Sequence, residues 1–227
     1  MNKEDLIING NKEKVRETND ENILIELFKS NRTIGVVGDI HTGKSMCVLS
    51  HLVNLKKNFK TEVYVLGVET NLEEHLKKQG IKVLLSKDDV LDMKVKNSVI
   101  YIDEFGDLFS VQTRDKQLIK IKKFFNRLAH LNNYVIISTA VSGFWNKFMC
   151  SLVRCFIVKT IEFDNLVNGT TLKRKVLDLA YNSEYRFEIP QNTYYVLNKN
   201  RLAKRFTFPY YPTLDSKKDL PSIFEKK

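Results

Sequence analysis

The segment Gly38-Asp-Ile-His-Thr-Gly-Lys-Ser45 follows an apolar run at 33–37 and opens a run at 44–57 whose residues Cys47, Val48, His51 and Leu52 recur at helical spacing. A glycine-punctuated loop between a buried strand and a helix restricts the chain to α/β architectures, because the strand must be covered by the helix that leaves it. Gly38 and Gly43 allow conformations that turn backbone N–H groups inward, and the new helix adds the positive end of its dipole. Such a loop is built to hold phosphate. Gly38, Asp39, Ile40, His41, Thr42, Gly43, Lys44 and Ser45 are therefore the candidate nucleotide-binding residues. Lys44 is expected to reach the β- and γ-phosphates and the Ser45 hydroxyl to ligate magnesium (Mg2+).

The alternation continues along the chain. Strands are expected at 62–66, 81–85, 98–102, 134–138 and 154–161, and helices at 21–29, 71–78, 88–93, 114–131 and 144–152. Strands that are nearly continuous apolar runs and alternate with helices imply a mainly parallel sheet covered on both faces. After 161 the rhythm changes. Shorter strands at 172–179, 185–189 and 194–197 are expected as antiparallel additions at the sheet edge. The chain thus divides into an N-terminal arm with a short helix (1–30), an α/β domain (31–208, with its core at 33–161 and C-terminal strands at 162–208) and a tail (209–227).

The run Val99-Ile-Tyr-Ile-Asp-Glu104 places two carboxylates at the C-terminal end of a buried strand, the edge where ligands collect in open α/β sheets. Asp103 is expected to hold magnesium directly or through water, and Glu104 to polarise an attacking water as general base. Adjacent Asp-Glu is the arrangement of ATPases that use a catalytic glutamate. No Asn-Lys-x-Asp sequence of the kind that reads guanine is present, so ATP is the favoured nucleotide. A third apolar strand, Val135-Ile-Ile-Ser-Thr-Ala140, ends in hydroxyls; Thr139, or else Ser138, is the candidate sensor of the γ-phosphate or water. Phosphoryl transfer commonly recruits one more cation on the γ-phosphate, often from a neighbouring subunit. Arg127 and Arg154 are the candidates, and each has the alternative of an ordinary surface ion pair.

Charge bears on the partner. Lys and Arg number 37 against 27 Asp and Glu, a formal net charge of +10, which favours polyanions through counterion release; a lysine-rich surface with no such role fits equally well. Lys116, Lys120, Lys123 and Arg127 line one face of the 114–131 helix, while Leu118, Ile121, Phe125 and Leu128 form its apolar stripe. Further basic clusters lie at 173–175 and 199–205, interleaved with Tyr194, Tyr195 and Phe206. Cys47, Cys150 and Cys155 are odd in number, lack metal-ligand spacing and sit in apolar company, as buried reduced thiols do. No apolar run approaches the ~20 residues that span a bilayer, so a soluble protein is expected.

With these motifs in order, the chain resembles the P-loop NTPases of the additional-strand, catalytic-glutamate (RecA-like) division, and within it the FtsK–HerA superfamily and viral genome-packaging ATPases. The resemblance spans about 33–161 and rests on Gly38–Ser45, Ile102-Asp103-Glu104, and Ile136-Ile137-Ser138-Thr139 preceded by a helix bearing Arg127. Arg154 falls where that superfamily often has an arginine before its final core strand. Ala140 stands where many members have glutamine, and Asn126-Arg127-Leu-Ala-His130 replaces an arginine–histidine pair of different spacing. The resemblance implies an ATP-driven DNA translocase, a packaging motor subunit working as a homo-oligomeric ring in the host cytoplasm. Non-sequence-specific contacts to the DNA backbone and capsid or portal proteins as partners follow from the same comparison. The alternatives are an assembly or secretion ATPase of the zonula-occludens-toxin type, an AAA+ replication initiator or helicase loader, and a non-catalytic nucleotide-binding adaptor.

Overall fold

The computed structural model describes residues 5–8, 11–14, 24, 27–28, 31–39, 41–68, 70–109, 115–139, 153, 155–159, 193–198 and 203–207. Strand β3 (Thr33–Val37) leads through the glycine loop into helix α1 (Lys44–Asn58). The chain continues through β4 (Glu62–Leu66), α2 (Thr70–Lys78), β5 (Lys82–Leu84), α3 (Lys87–Asp92) and β6 (Ser98–Ile102). Then follow the short helix α4 (Phe105–Leu108), the long helix α5 (Asp115–His130), β7 (Tyr134–Thr139) and β8 (Cys155–Val158). Strands β9 (Thr193–Asn198) and β10 (Ala203–Thr207) close the described part.

The eight strands β3 to β10 form one sheet in the order β10-β9-β8-β3-β7-β6-β4-β5. From β8 to β5 every neighbouring pair is parallel, while β9 and β10 join antiparallel at one edge. This is the expected mainly parallel sheet with added C-terminal edge strands. The central strands are buried along their whole length in β6 and nearly so in β7, because helices cover both faces and leave no side of a parallel strand wet. Two apolar layers result. Val36, Cys47, Leu49, Leu52, Val65 and Tyr101 belong to the layer under α1; Ile100, Ile102, Phe124, Phe125, Leu128 and Ile137 belong to the layer under α5.

Element boundaries lie within a few residues of the expected ones, and the apolar stripe of α5 packs inward through Ile121, Phe125 and Leu128 as anticipated, joined by Phe124. Three elements depart from expectation. A hairpin, β1 (Asp5–Ile8) with β2 (Asn11–Lys14), lies in the segment expected as a patternless arm. Ile8 pairs Asn11 across Asn9-Gly10, the favoured sequence for a two-residue hairpin connection. Strand β10 runs through the basic cluster Lys204-Arg205, which has little apolar alternation, and its pairing comes from β9. Helix α4 follows the Asp-Glu pair directly. Of the 21–29 helix, Leu24, Leu27 and Phe28 are helical and buried. The expected helix at 144–152 and strands at 172–179 and 185–189 lie outside the described residues.

Candidate active site

Parallel strands bring their C-terminal ends to one edge, and there the predicted motifs meet. The order β3-β7-β6 sets the phosphate-loop strand and the Asp-Glu strand on either side of the hydroxyl-ended strand. Register completes the placement: Val37 pairs Thr139, and Ile102 pairs Ile137. Thr139 therefore stands beside the start of the loop, and Ser138 beside Asp103.

Within the loop, Gly43 (φ 81°) caps the N-terminus of α1, and His41 also takes a left-handed conformation (φ 63°). Thr42 Oγ1 donates to the Asp39 carbonyl at 2.8 Å, and Lys44 Nζ donates to the same oxygen at 3.0 Å, which holds the loop curled. No acidic residue occupies the first turn of α1, so the positive end of a 15-residue helix is left to an anion. Lys44 is buried, and its ammonium lies 3.8 Å from Glu104 Oε1, whose side chain is about two-fifths exposed. Ile40 lies outside the described residues.

Across β7, Asp103 is buried and held from several directions. Its N–H donates to the Leu66 carbonyl at 2.9 Å. Its Oδ1 receives Tyr101 Oη at 2.7 Å, the Glu104 N–H at 3.1 Å and a close contact from Ser138 Oγ. Glu104 takes a left-handed conformation (φ 42°), a cost of about 1–3 kcal/mol for a non-glycine residue that the surrounding bonds offset. That conformation swings its carboxylate out of the strand toward Lys44, and its N–H is steadied by Ser138 Oγ at 3.2 Å as well. Burial first, and then the adjacent Asp103 carboxylate, hold the Tyr101 phenol well above its ordinary range. It therefore remains a donor.

The donor set fits magnesium. Ser45 and Asp103 offer hard oxygens in small number, as suits a cation that completes its shell with phosphates and water. Among the described residues no group of three or more His, Cys, Asp or Glu is gathered as a self-sufficient metal site.

Thr139 Oγ1 is buried with no hydrogen-bond partner among the described residues. Strand alternation turns it to the opposite face from Ser138. Arg127 lies elsewhere. It occupies the last turn of α5, at the end away from the loop edge, and donates to the Leu91 carbonyl of α3 in a groove lined by Leu91, Lys120, Lys123 and Phe124. Lys120 and Lys123 are exposed along that helix. The structure thus does not bring Arg127 to its own chain's phosphate loop, and Arg154 lies outside the described residues.

Three residues that the motifs did not single out contribute. Tyr101 was hidden because it reads as one more apolar strand position. Gly67 (φ 85°) ends β4 against Asp103, where an added Cβ would sit 2.7 Å from the Asp103 carbonyl oxygen. Lys159 follows β8, fully buried, its N–H donating to the Val37 carbonyl at 2.7 Å. Burial lowers its ammonium to about 8, while burial raises the Cys47 thiol to about 12 against the pull of the Lys159 charge.

The sequence matches no family model and no curated protein. Similarity appears in three dimensions. B204, the DNA-packaging ATPase of Sulfolobus Turreted Icosahedral Virus, superposes with a TM-score of 0.56 at 15% identity, covering 79% of this chain and 98% of that one. The fold is that of the P-loop ATPases. The genome-packaging NTPase B204 of Sulfolobus turreted icosahedral virus 2, in complex with AMPPCP, matches equally well (TM-score 0.56, 14% identity, 80% and 99% covered). The cytoplasmic domain of the Thermomonospora curvata type VII secretion ATPase EccC follows at 0.53 and 11% identity, over 91% of this chain and 26% of that one. At such identities the likeness is one of fold.

Proposed function

We propose that the chain hydrolyses ATP and uses the energy to move DNA, as a genome-packaging motor subunit. The observation that carries the reading is the meeting of a buried Lys44 with Asp103 and Glu104 at one sheet edge, Lys44 and Glu104 being 3.8 Å apart. In this reading the loop N–H groups and Lys44 grip the β- and γ-phosphates, and Ser45 and Asp103 hold Mg2+. When bound, the cation neutralises charge on the transferred phosphoryl group. Glu104 accepts a proton from water as the water oxygen bonds to the γ-phosphorus. The bond to the bridging oxygen breaks, and ADP leaves with the electron pair. Thr139 is the sensor in this scheme, because a buried hydroxyl beside the loop with no partner is free to bond a phosphate oxygen.

The cation contributed in trans by a neighbouring copy is assigned to Arg127 or Arg154, with a ring as the assembly. In this chain Arg127 is half-buried and bonded to the Leu91 carbonyl in the groove between α3 and α5, so its use in trans requires that bond to be released. DNA as cargo is supported by the +10 charge, by the exposed Lys120 and Lys123, and by analogy of fold with B204, an associational warrant. No helix among the described residues is long and apolar enough to cross a membrane. The test is ATP hydrolysis with and without duplex DNA, beside DNA binding at rising salt. Stimulated hydrolysis with salt-sensitive binding is expected. Hydrolysis indifferent to DNA, with no DNA binding at low salt, would leave an ATPase with some other task.

A further inference from the structure

Glu104 can act on water only if its carboxylate is aimed, and its backbone works against a fixed aim. It is a non-glycine residue in the left-handed region (φ 42°). It links the end of β6 to the first residue of α4, and its side chain makes no capping bond to that helix. The residues on either side are anchored. The Asp103 N–H donates to the Leu66 carbonyl at 2.9 Å, while Phe105 and Phe109 are buried and stacked at 4.6 Å. Glu104 itself is tied back through its N–H, which lies 3.2 Å from Ser138 Oγ and 3.1 Å from Asp103 Oδ1.

The Ser138 hydroxyl is fully used in this arrangement. A serine has one hydrogen to give and two lone pairs to receive. The Asp103 carboxylate only accepts, so Ser138 gives its hydrogen to Oδ1, with which it is in close contact. One lone pair receives the Glu104 N–H. Tyr101 Oη stands 3.2 Å from the same hydroxyl and sends its own hydrogen to Oδ1 at 2.7 Å. Tyr101, Ser138 and Asp103 are all buried. A phosphate oxygen also only accepts, so Ser138 could bond one only by abandoning Asp103.

We propose, resting on the reading of Glu104 as the general base, that Ser138 is a positioning residue and not a phosphate sensor. Its hydroxyl pins the Glu104 backbone to the end of β7 and so aims the carboxylate at Lys44, 3.8 Å away. The sheet order gives the pin its reach: β7 lies between β3 and β6, so the base is fastened to the strand that also borders the phosphate loop. Tyr101 backs the pin by bonding Oδ1 beside Ser138. Sensing falls to Thr139, whose buried hydroxyl has no partner among the described residues.

The experiment is a double-mutant cycle in single-turnover hydrolysis of ATP at saturating magnesium, on the full chain. It compares wild type, Ser138→Ala, Glu104→Gln and the double variant, with thermal melts on the same samples. Residues that act as a unit give losses that do not add. A misplaced catalytic group costs up to about 10²-fold. Ser138→Ala is therefore expected to slow hydrolysis about 10–100-fold when Glu104 is present, and by no more than about 3-fold when Glu104 is already glutamine. A serine that touched phosphate, or that only supported the fold, would cost the same factor in both backgrounds. Equal factors, unity included, overturn the pin while the base stands. A Glu104→Gln chain that hydrolyses at the wild-type rate overturns the underlying reading, and the pin with it. Should Ser138→Ala not fold, a crystal structure of wild type with Mg2+ and a non-hydrolysable ATP analogue decides. The Glu104 N–H on Ser138 Oγ supports the pin; Ser138 Oγ on the γ-phosphate refutes it.

Discussion

Replacing Lys159 by methionine should change how stability depends on pH. Lys159 is fully buried, and its ammonium is lowered by burial from 10.5 to about 8. Below pH 8 the lysine is protonated in both the folded and the unfolded chain, and the fold carries the full cost of a buried cation. As pH rises through 8, the folded form releases its proton while the unfolded form keeps it up to about 10.5. The unfolded state then binds more protons, so stability rises with pH. The whole difference is worth about 3 kcal/mol. Cysteine opposes it. Cys47 and Cys155 are both raised by burial from 9.0 to about 12, so from about pH 8 upward the unfolded chain loses thiol protons that the folded chain retains, which lowers stability. Between pH 8 and 9 the lysine adds about 1 kcal/mol and the two thiols remove about 0.7 kcal/mol, so the net rise is only about 0.3 kcal/mol, or roughly 1 °C in Tm for a chain of this size. Urea unfolding followed by circular dichroism at pH 7, 8 and 9 under reducing conditions measures it directly. Wild type is expected to stay nearly level between 8 and 9, and Lys159→Met to lose about 0.7 kcal/mol. A variant with the same pH dependence as wild type would refute the assignment to Lys159.

Three further substitutions probe the strand ends. Gly67→Ala forces a Cβ to 2.7 Å from the Asp103 carbonyl oxygen at a φ of +85°; chemical denaturation is expected to show a loss of about 1–3 kcal/mol, with magnesium-dependent ATP binding weakened. Retained stability and binding would mean that the β4 end is not braced against the Asp103 backbone carbonyl. Ser138→Ala and Thr139→Ala separate the two hydroxyls of β7. The first removes a bond to Asp103 and to the Glu104 N–H and is expected to lower kcat and melting temperature together; the second removes an unpartnered hydroxyl and is expected to lower kcat without a stability loss. Steady-state kinetics beside thermal melts distinguishes them, and a Thr139→Ala variant with unaltered kcat would remove the sensor role.

What could be read from the sequence divides along physical lines. Strands 33–37 and 98–102 have the expected limits, and 134–139 extends the expected 134–138 by one residue, because parallel strands buried on both faces are apolar runs with no surface alternation to blur them. Lys44, Ser45, Asp103 and Glu104 are legible because phosphate and metal chemistry restricts both residue type and spacing. The β1–β2 hairpin was missed because its four-residue strands, Asp5–Ile8 and Asn11–Lys14, carry little alternation and the signal lies in the two residues between them. Strand β10 was missed because it is a polar edge strand whose conformation is set by its partner. Tyr101 and Ser138 became neighbours of Asp103 only through strand register, a tertiary fact that local pattern does not encode. The choice between Ser138 and Thr139 rests on the same register, since each faces a different neighbouring strand end.

The central claim is that Lys44, Asp103 and Glu104 form a hydrolytic centre with Glu104 as the base. Its most direct test is single-turnover hydrolysis of magnesium ATP by wild type beside Glu104→Gln, with nucleotide binding measured on the same samples. The account predicts equal or tighter ATP binding by the variant and a hydrolysis rate lower by about 10²–10⁴-fold, the usual contribution of a positioned general base. A Glu104→Gln protein that hydrolyses ATP at the wild-type rate would contradict it.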